Sequence, residues 1–371
     1  MTLQAVILVG GEGTRLRPLT ADTPKPMLPL AGRPLLAYTF DHLRRHGVDR
    51  AVLSCGYLPT QIEEHFGAES GGLGLEYRVE VEPLGTGGAI RFGAEGIDET
   101  FLALNGDSLR AADLDALIAF HRERGARATI LLTPVPDPTR YGLVRLADGS
   151  RVSGFLEKPR PEEIDTDLIN AGLYVLEPDV LDLVADGKAV SIEREVFPRL
   201  VEEGTLYGLA LPGYWLDVGT PESYLQAHRD VLERNVETWV GDELGQAYVS
   251  VDPSARVSPE ARLVPPVLVG PEAVVEAGAR VGSLAVVGAG ATIGERAVVE
   301  DAVVGAGARI GAGAHVQGSL VGEVAVVGDE CEVRGLSVVG PRARLGAGNM
   351  LDHGLRIAAG ETLPPHSLAF S

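Results

Sequence analysis

Lysine is nearly absent from this chain of 371 residues: of 32 cationic side chains only Lys25, Lys158 and Lys188 are lysines, and arginine supplies the rest. Cysteine is scarcer still. Cys55 and Cys331 stand far apart without metal-ligand spacing, which argues against a disulfide framework or a zinc site and leaves two buried thiols as the expectation. Positive charge is also in deficit. A net charge of −20 repels phosphate backbones and anionic lipid heads wherever cations are not locally gathered, so nucleic acid and membrane surfaces are not expected partners. The N-terminus lacks the basic stretch of a signal peptide, and no apolar run reaches bilayer length. A soluble cytoplasmic protein is the expectation.

Two patterns divide the chain. In the first half, strand-like runs at 5–9, 51–54, 75–81, 101–104 and 128–132 alternate with helical patterns. One helix starts at Pro34, carries Leu35, Leu36, Phe40 and Leu43 on one face, and stops at Gly47; another covers 113–123. This alternation implies an α/β fold with a Rossmann-like, mixed but mostly parallel sheet, whose ligands bind beyond the carboxyl ends of its strands.

The second half has a period of six. Aliphatic residues recur at Val251, Val257, Leu263, Val269, Val275, Val281, Val287, Ile293 and Val299, slip by one to Val304, Ile310 and Val316, and slip again to Val321. They then continue through Val327, Val333, Val339, Leu345, Leu351 and Ile357. Neither a helix nor a single strand has this period; a solenoid of short strands and tight turns does. The pattern resembles the hexapeptide repeat of left-handed parallel β-helices. Boundaries follow: a catalytic domain at 1–238, closed by a helix over 221–237, a linker at 239–250, and a β-helix at 251–371.

Charged groups cluster around the glycine-rich turn Gly10-Gly11-Glu12-Gly13-Thr14-Arg15. Glycines let backbone N–H groups approach a phosphate chain, Arg15 offers a forked cation, and Lys25 follows between Pro24 and Pro26 on a stiff arm. The turn fits neither a P-loop nor a dinucleotide fingerprint. Asp107, in Asn105-Gly106-Asp107, and Asp217, in Trp215-Leu216-Asp217, each end an apolar run, where a carboxylate can meet a metal-bound nucleotide; Mg²⁺ takes one or two carboxylates with phosphates and waters. Glu157, Lys158 and Asn170 add a carboxylate, an ammonium and an amide suited to a sugar and its phosphate, and Tyr141-Gly142 can bring one more N–H.

These motifs, with Glu82-Pro83-Leu84-Gly85-Thr86-Gly87-Gly88, Phe155-Leu156-Glu157-Lys158-Pro159, Ile169-Asn170-Ala171-Gly172 and Ser191-Ile192-Glu193-Arg194-Glu195, resemble those of the mannose-1-phosphate guanylyltransferases within the sugar nucleotidyltransferase family. The resemblance implies that Gly10, Gly11, Gly13, Thr14 and Gly85 line the nucleotide and that Glu82 faces the base. It further implies that Arg15 and Lys25 hold the phosphates, that Asp107 and Asp217 bind Mg²⁺, and that Lys158 grips the sugar phosphate, with Glu157, Asn170 and Gly142 on the sugar. GTP and mannose 1-phosphate are the implied substrates. A homo-oligomer joined through the β-helix is expected, with a catalytic part that works without residues 251–371. Glucose-1-phosphate thymidylyl-, uridylyl- or adenylyltransferase activity stays open, as does an acyltransferase in the β-helix, whose His315 and His353 stand isolated. A non-catalytic sugar-nucleotide-binding subunit is the third class, against which the presence of Lys158 and Asp107 speaks.

Overall fold

The first apolar run forms the strand Leu3–Leu8, and both its neighbours, Val48–Cys55 and Phe101–Asn105, run parallel to it. A computed structural model of the chain describes residues 3–147 and 149–369, with residue 157 described by its backbone alone. The chain divides into two units, Met1–Gly11 with Leu36–Trp215, and Glu12–Leu35 with Leu216–Ser371. Among the described residues, no helix is long and apolar enough to cross a membrane.

In the first unit the sheet order is Gly142–Ala147, Arg151–Glu157, Leu206–Ala210, Ala128–Pro134, Leu168–Leu176, Phe101–Asn105, Leu3–Leu8, Val48–Cys55, Leu73–Val79 and Glu69–Ser70. The four strands from Phe101–Asn105 to Leu73–Val79 are parallel. Leu168–Leu176 enters antiparallel to both its neighbours, so the sheet is mixed. Central strands are apolar on both faces because helices cover them: Val6, Ile7, Leu102 and Leu104 are fully buried. The expected strand 75–81 is displaced to Leu73–Val79, and Val81 is almost fully exposed beyond its end. The helix Leu35–Arg45 buries Leu36, Phe40 and Leu43, and Leu114–Arg124 is capped by Asp113, which accepts from Ala116 N at 2.9 Å. Cys55 and Cys331 are both buried and free.

In the second unit, twenty short strands from Val249–Val251 to Thr362–Leu363 stack into three parallel sheets of seven, seven and six, the left-handed β-helix. The hexad residues point inward, and Val269, Val275, Val281 and their successors form one buried apolar column. Both slips of register are coils one residue short: Val269 pairs with Val287, but Val287 pairs with Val304 and Val304 with Val321. Segment 239–250, expected as a linker, is helical over Trp239–Leu244, with Thr238 as its cap, and the expected helix 221–237 stops at Leu232. At the far end, buried Asn349 donates to Gly346 O and Pro364 O and accepts from Ser367 N and Leu368 N, which closes the last coil.

Strand alternation places the residue before each hexad position on the outside. On two sheets these outward residues are mostly polar or exposed, such as Arg256, Arg309, His315 and Glu332. On the third, the five middle strands carry Leu268, Val286, Val303, Leu320 and Val338 there, all buried. Segment 12–35 and the helix Pro221–Leu232 lie against this face. A cavity of about 160 Å³ remains there, lined by Leu28, Pro29, Tyr224, His228, Val303 and Leu320 among others. Tyr224 donates its hydroxyl to Pro29 O, Ala31 N donates to His228 Nδ1 at 3.2 Å, and Arg229 grips Asp301 with two nitrogens at 2.6 and 2.7 Å.

Candidate active site

In the second unit, the cationic arm meets its carboxylate. Lys25 Nζ lies 3.3 Å from Asp217 Oδ1 and Arg15 Nη2 lies 3.5 Å from Asp217 Oδ2. The ammonium is only 6% exposed and the guanidinium 62%, so the lysine is packed inside while the arginine faces solvent. Pro24 directs the chain into the short 3-10 turn Lys25–Met27, which holds the lysine stem inward. Gly219 allows the close approach: a Cβ there would stand 2.6 Å from Arg15 Nη2 and 2.8 Å from Asp217 Oδ2. Gly13, in the left-handed region, turns the chain into the 3-10 segment Thr14–Leu16, and its carbonyl accepts from Thr20 Oγ1 at 2.8 Å.

In the first unit, Gly10 and Gly11 are exposed beyond the strand Leu3–Leu8, whose last backbone carbonyl accepts from Gly106 N at 2.9 Å. That bond sets Asp107, half-buried, at the carboxyl end of the neighbouring parallel strand, as its sequence position implies. Beneath it lies a residue that sequence reasoning missed. Arg110 is buried and donates to Asn105 O at 2.9 Å; burial pushes its guanidinium down to about 10, and the charge of Asp107 opposes the shift.

The loop after Val79 holds two glutamates in different settings. Glu80 accepts from Ser54 Oγ at 2.9 Å and from Leu84 N at 3.1 Å, which pins the loop close to Gly10. Glu82 is exposed. Gly85 adopts φ 68 and must be glycine, since a Cβ would come within 2.6 Å of Val190 O. Thr86 donates to Glu193 Oε2 at 2.7 Å, Tyr174 to Glu193 Oε1 at 3.3 Å, and Asn170 Nδ2 to the Tyr174 hydroxyl at 2.9 Å. Asn170 is thereby tied to the Gly85 loop through Tyr174 and Glu193, neither of which was singled out alone from the sequence.

Gly142 pairs with residue 157 across the antiparallel ladder, and Lys158 N donates to Tyr141 O at 3.0 Å, so these positions are brought together as expected. Lys158 is exposed at φ 53, a backbone region that non-glycine residues seldom occupy and that recurs at functional sites. The Glu157 side chain lies outside the described residues. Tyr141 packs edge-on to Trp215 at 5.2 Å, and Trp215 Nε1 donates to Ala171 O at 2.9 Å, which buttresses Asn170 from its neighbour. The expected metal ligands Asp107 and Asp217 belong to different units. A separate group, His46, Asp113 and Asp115, brings ligand atoms within 4.8 Å of one another, but Asp113 is engaged as a helix cap.

Comparison with known proteins covers both halves. The Nucleotidyl transferase family profile matches residues 4–234, and that of the GMPPB C-terminal domain matches residues 246–346. The chain is similar to the mannose-1-phosphate guanylyltransferase of Mycobacterium tuberculosis, at 44% identity over 234 residues, covering 62% of this chain and 65% of that protein. It thus matches somewhat less than two thirds of that relative's length. It is also similar to the mannose-1-phosphate guanyltransferase of Eremothecium gossypii, at 36% identity over 267 residues, covering 69% of this chain and 73% of that protein. Among solved structures it resembles HddC from Yersinia pseudotuberculosis complexed with GMP-PN, with TM-score 0.54 and 30% identity, covering 61% of this chain and 98% of that one.

Proposed function

Because the chain belongs to the nucleotidyl transferase family, we propose that it transfers the guanylyl group of GTP to mannose 1-phosphate, giving GDP-mannose and pyrophosphate. The observation that carries this reading is the convergence of Lys25 and Arg15 on Asp217 beside Gly219, a cationic pair held ready for a triphosphate. The names of the relatives support the sugar and the base, and GMP-PN bound to HddC supports a guanine nucleotide.

In the proposed reaction, a phosphate oxygen of the sugar 1-phosphate attacks the α-phosphorus in line and pyrophosphate leaves. The attacker is already an anion, so no general base is required, and the residues' work is alignment and neutralisation. Arg15 and Lys25 hold the β- and γ-phosphates; Gly10, Gly11, Gly13, Thr14 and Gly85 line the nucleotide, with Glu82 on the base. Lys158 grips the sugar phosphate, and Asn170, Gly142 and Glu157 hold the sugar. Family chemistry uses a divalent metal, for which we propose Mg²⁺ on Asp107 and Asp217. Asp217 already accepts two cations, and a hard oxygen donor of this kind suits Mg²⁺. When bound, the ion neutralises charge developing on the triphosphate. We place the reaction in the cytoplasm and assign homo-oligomer contacts to the β-helix; sedimentation of the full chain as a monomer removes the latter assignment.

The test is a substrate panel read as pyrophosphate release, with GTP, dTTP, UTP and ATP crossed against mannose and glucose 1-phosphates. GTP with mannose 1-phosphate should give the highest kcat/KM. Higher turnover of another pair reassigns base or sugar, and no release from any pair rejects the activity.

A further inference from the structure

We propose that Arg356, in the last strand of one sheet of the β-helix, is a positioning residue for the segment that carries Arg15 and Lys25, so that the β-helix is part of the catalytic machinery rather than a detachable assembly module. This rests on the transferase reading above.

Within segment 13–21, Leu16 N donates to Gly13 O, Arg17 N to Thr14 O, Leu19 N to Leu16 O and Ala21 N to Pro18 O. The Arg15 carbonyl would take the N–H three residues on, but that residue is Pro18, which has none. Arg356 supplies the missing donor: its Nη1 lies 2.9 Å from Arg15 O and 3.0 Å from Arg17 O, one hydrogen for each carbonyl. Charge on the donor strengthens both bonds. Arg356 occupies the outward row that is apolar in the preceding coils, Leu320 and Val338 among them, so the row that packs the segment ends in the group that pins it. A second tether, Arg342 to Asp22, holds the stretch between Arg15 and Lys25. The expectation that residues 251–371 can be removed without loss of transfer conflicts with these bonds.

The experiment uses the full chain with Arg356→Met, which keeps the stem and removes the donors, and Arg356→Lys, whose ammonium can bridge both carbonyls. Arg344→Met, on another sheet and exposed, is the control. For Arg356→Met, kcat/KM for the triphosphate should fall about tenfold to a hundredfold, the scale of a slight misplacement of reacting groups, while KM for the sugar 1-phosphate stays within about twofold. Arg356→Lys should recover part of the loss. Backbone hydrogen exchange should accelerate at residues 13–20 and remain unchanged in the coils of the β-helix. Unchanged exchange at 13–20 overturns the proposal, as does acceleration spread through the β-helix, which would mean a merely structural role. If the wild-type chain transfers no nucleotide, the functional reading fails, and exchange at 13–20 still decides whether Arg356 pins the segment.

Discussion

The Thr86 hydroxyl donates to the Glu193 carboxylate at 2.7 Å, joining the glycine-rich loop at Gly85 to the segment that also anchors Asn170 through Tyr174. Ser191 donates to the same Glu193 oxygen at 2.7 Å, so one carboxylate gathers three hydroxyls. Glu193→Gln would set an amide N–H₂ against donors. Stability should fall by about 2–4 kcal/mol, the scale of several hydrogen bonds to a charged acceptor, and KM should rise for both substrates. Urea titration checks the first, and a loss under about 0.5 kcal/mol shows that the three bonds are dispensable.

Asp107 and Asp217 should both respond to neutralisation. Asp107→Asn is expected to lose at least about a hundredfold in turnover, and it also removes the negative charge that favours the buried Arg110 guanidinium. Asp217→Asn should lose activity and also some stability in urea titration, because it weakens the pairs that Asp217 makes with the buried Lys25 ammonium and with Arg15. Near-normal turnover of Asp107→Asn at saturating Mg²⁺ would remove that residue from the site.

Lys158→Arg preserves charge but should lower kcat by about tenfold or more, since the wider guanidinium displaces the sugar phosphate from its line of attack. Steady-state kinetics decides; unchanged constants would mean that any cation suffices there.

Guanine offers two adjacent donors, N1–H and the N2 amino group, which one carboxylate can accept together, whereas uracil and thymine present a donor between carbonyls. Glu82 is exposed and open to such a base, while Glu80 is spent on Ser54 and Leu84. Glu82→Gln should therefore narrow the advantage of GTP over UTP and dTTP in competition assays. Equal losses for all three would show that Glu82 does not read the base.

His228 is buried, and desolvation lowers its pKa to about 3 from an ordinary 6.5. It must be neutral for Nδ1 to accept from Ala31 N. The folded form therefore binds this proton less readily than the unfolded chain, so its contribution is intact above about pH 6.5 and is lost as pH falls toward 3. At pH 4 the loss should be about 3 kcal/mol. Denaturant titrations of the wild type and His228→Gln test this, and identical pH profiles would contradict it.

The hexad repeat was legible because each β-helix strand buries one inward side chain per turn, a local rule that repeats along the chain. The glycine-rich turn, Pro24-Lys25-Pro26 and Asn105-Gly106-Asp107 were legible for a related reason: backbone approach and strand-end placement need particular residues close together in sequence. The covered face of the β-helix also left a signal that a six-residue period conceals. From Val269 to Val339, every third hexad position is preceded by a large apolar residue, Leu268, Val286, Val303, Leu320 or Val338, where the other sheets mostly carry arginine, threonine or histidine.

By itself the sequence determined the α/β sheet followed by a β-helix, the residues that carry charge, and the family those motifs mark, because periodicity and short motifs act over a few residues. Only the tertiary structure decided that segment 12–35 belongs with the β-helix unit, that Asp217 takes up both Lys25 and Arg15, and that Arg356 donates to the carbonyls of Arg15 and Arg17. Those partners lie hundreds of residues apart. No local rule selects one arginine among the 32 cationic side chains; the choice is made when burying an apolar face of the β-helix brings one particular guanidinium to a turn whose proline has left a carbonyl without its donor.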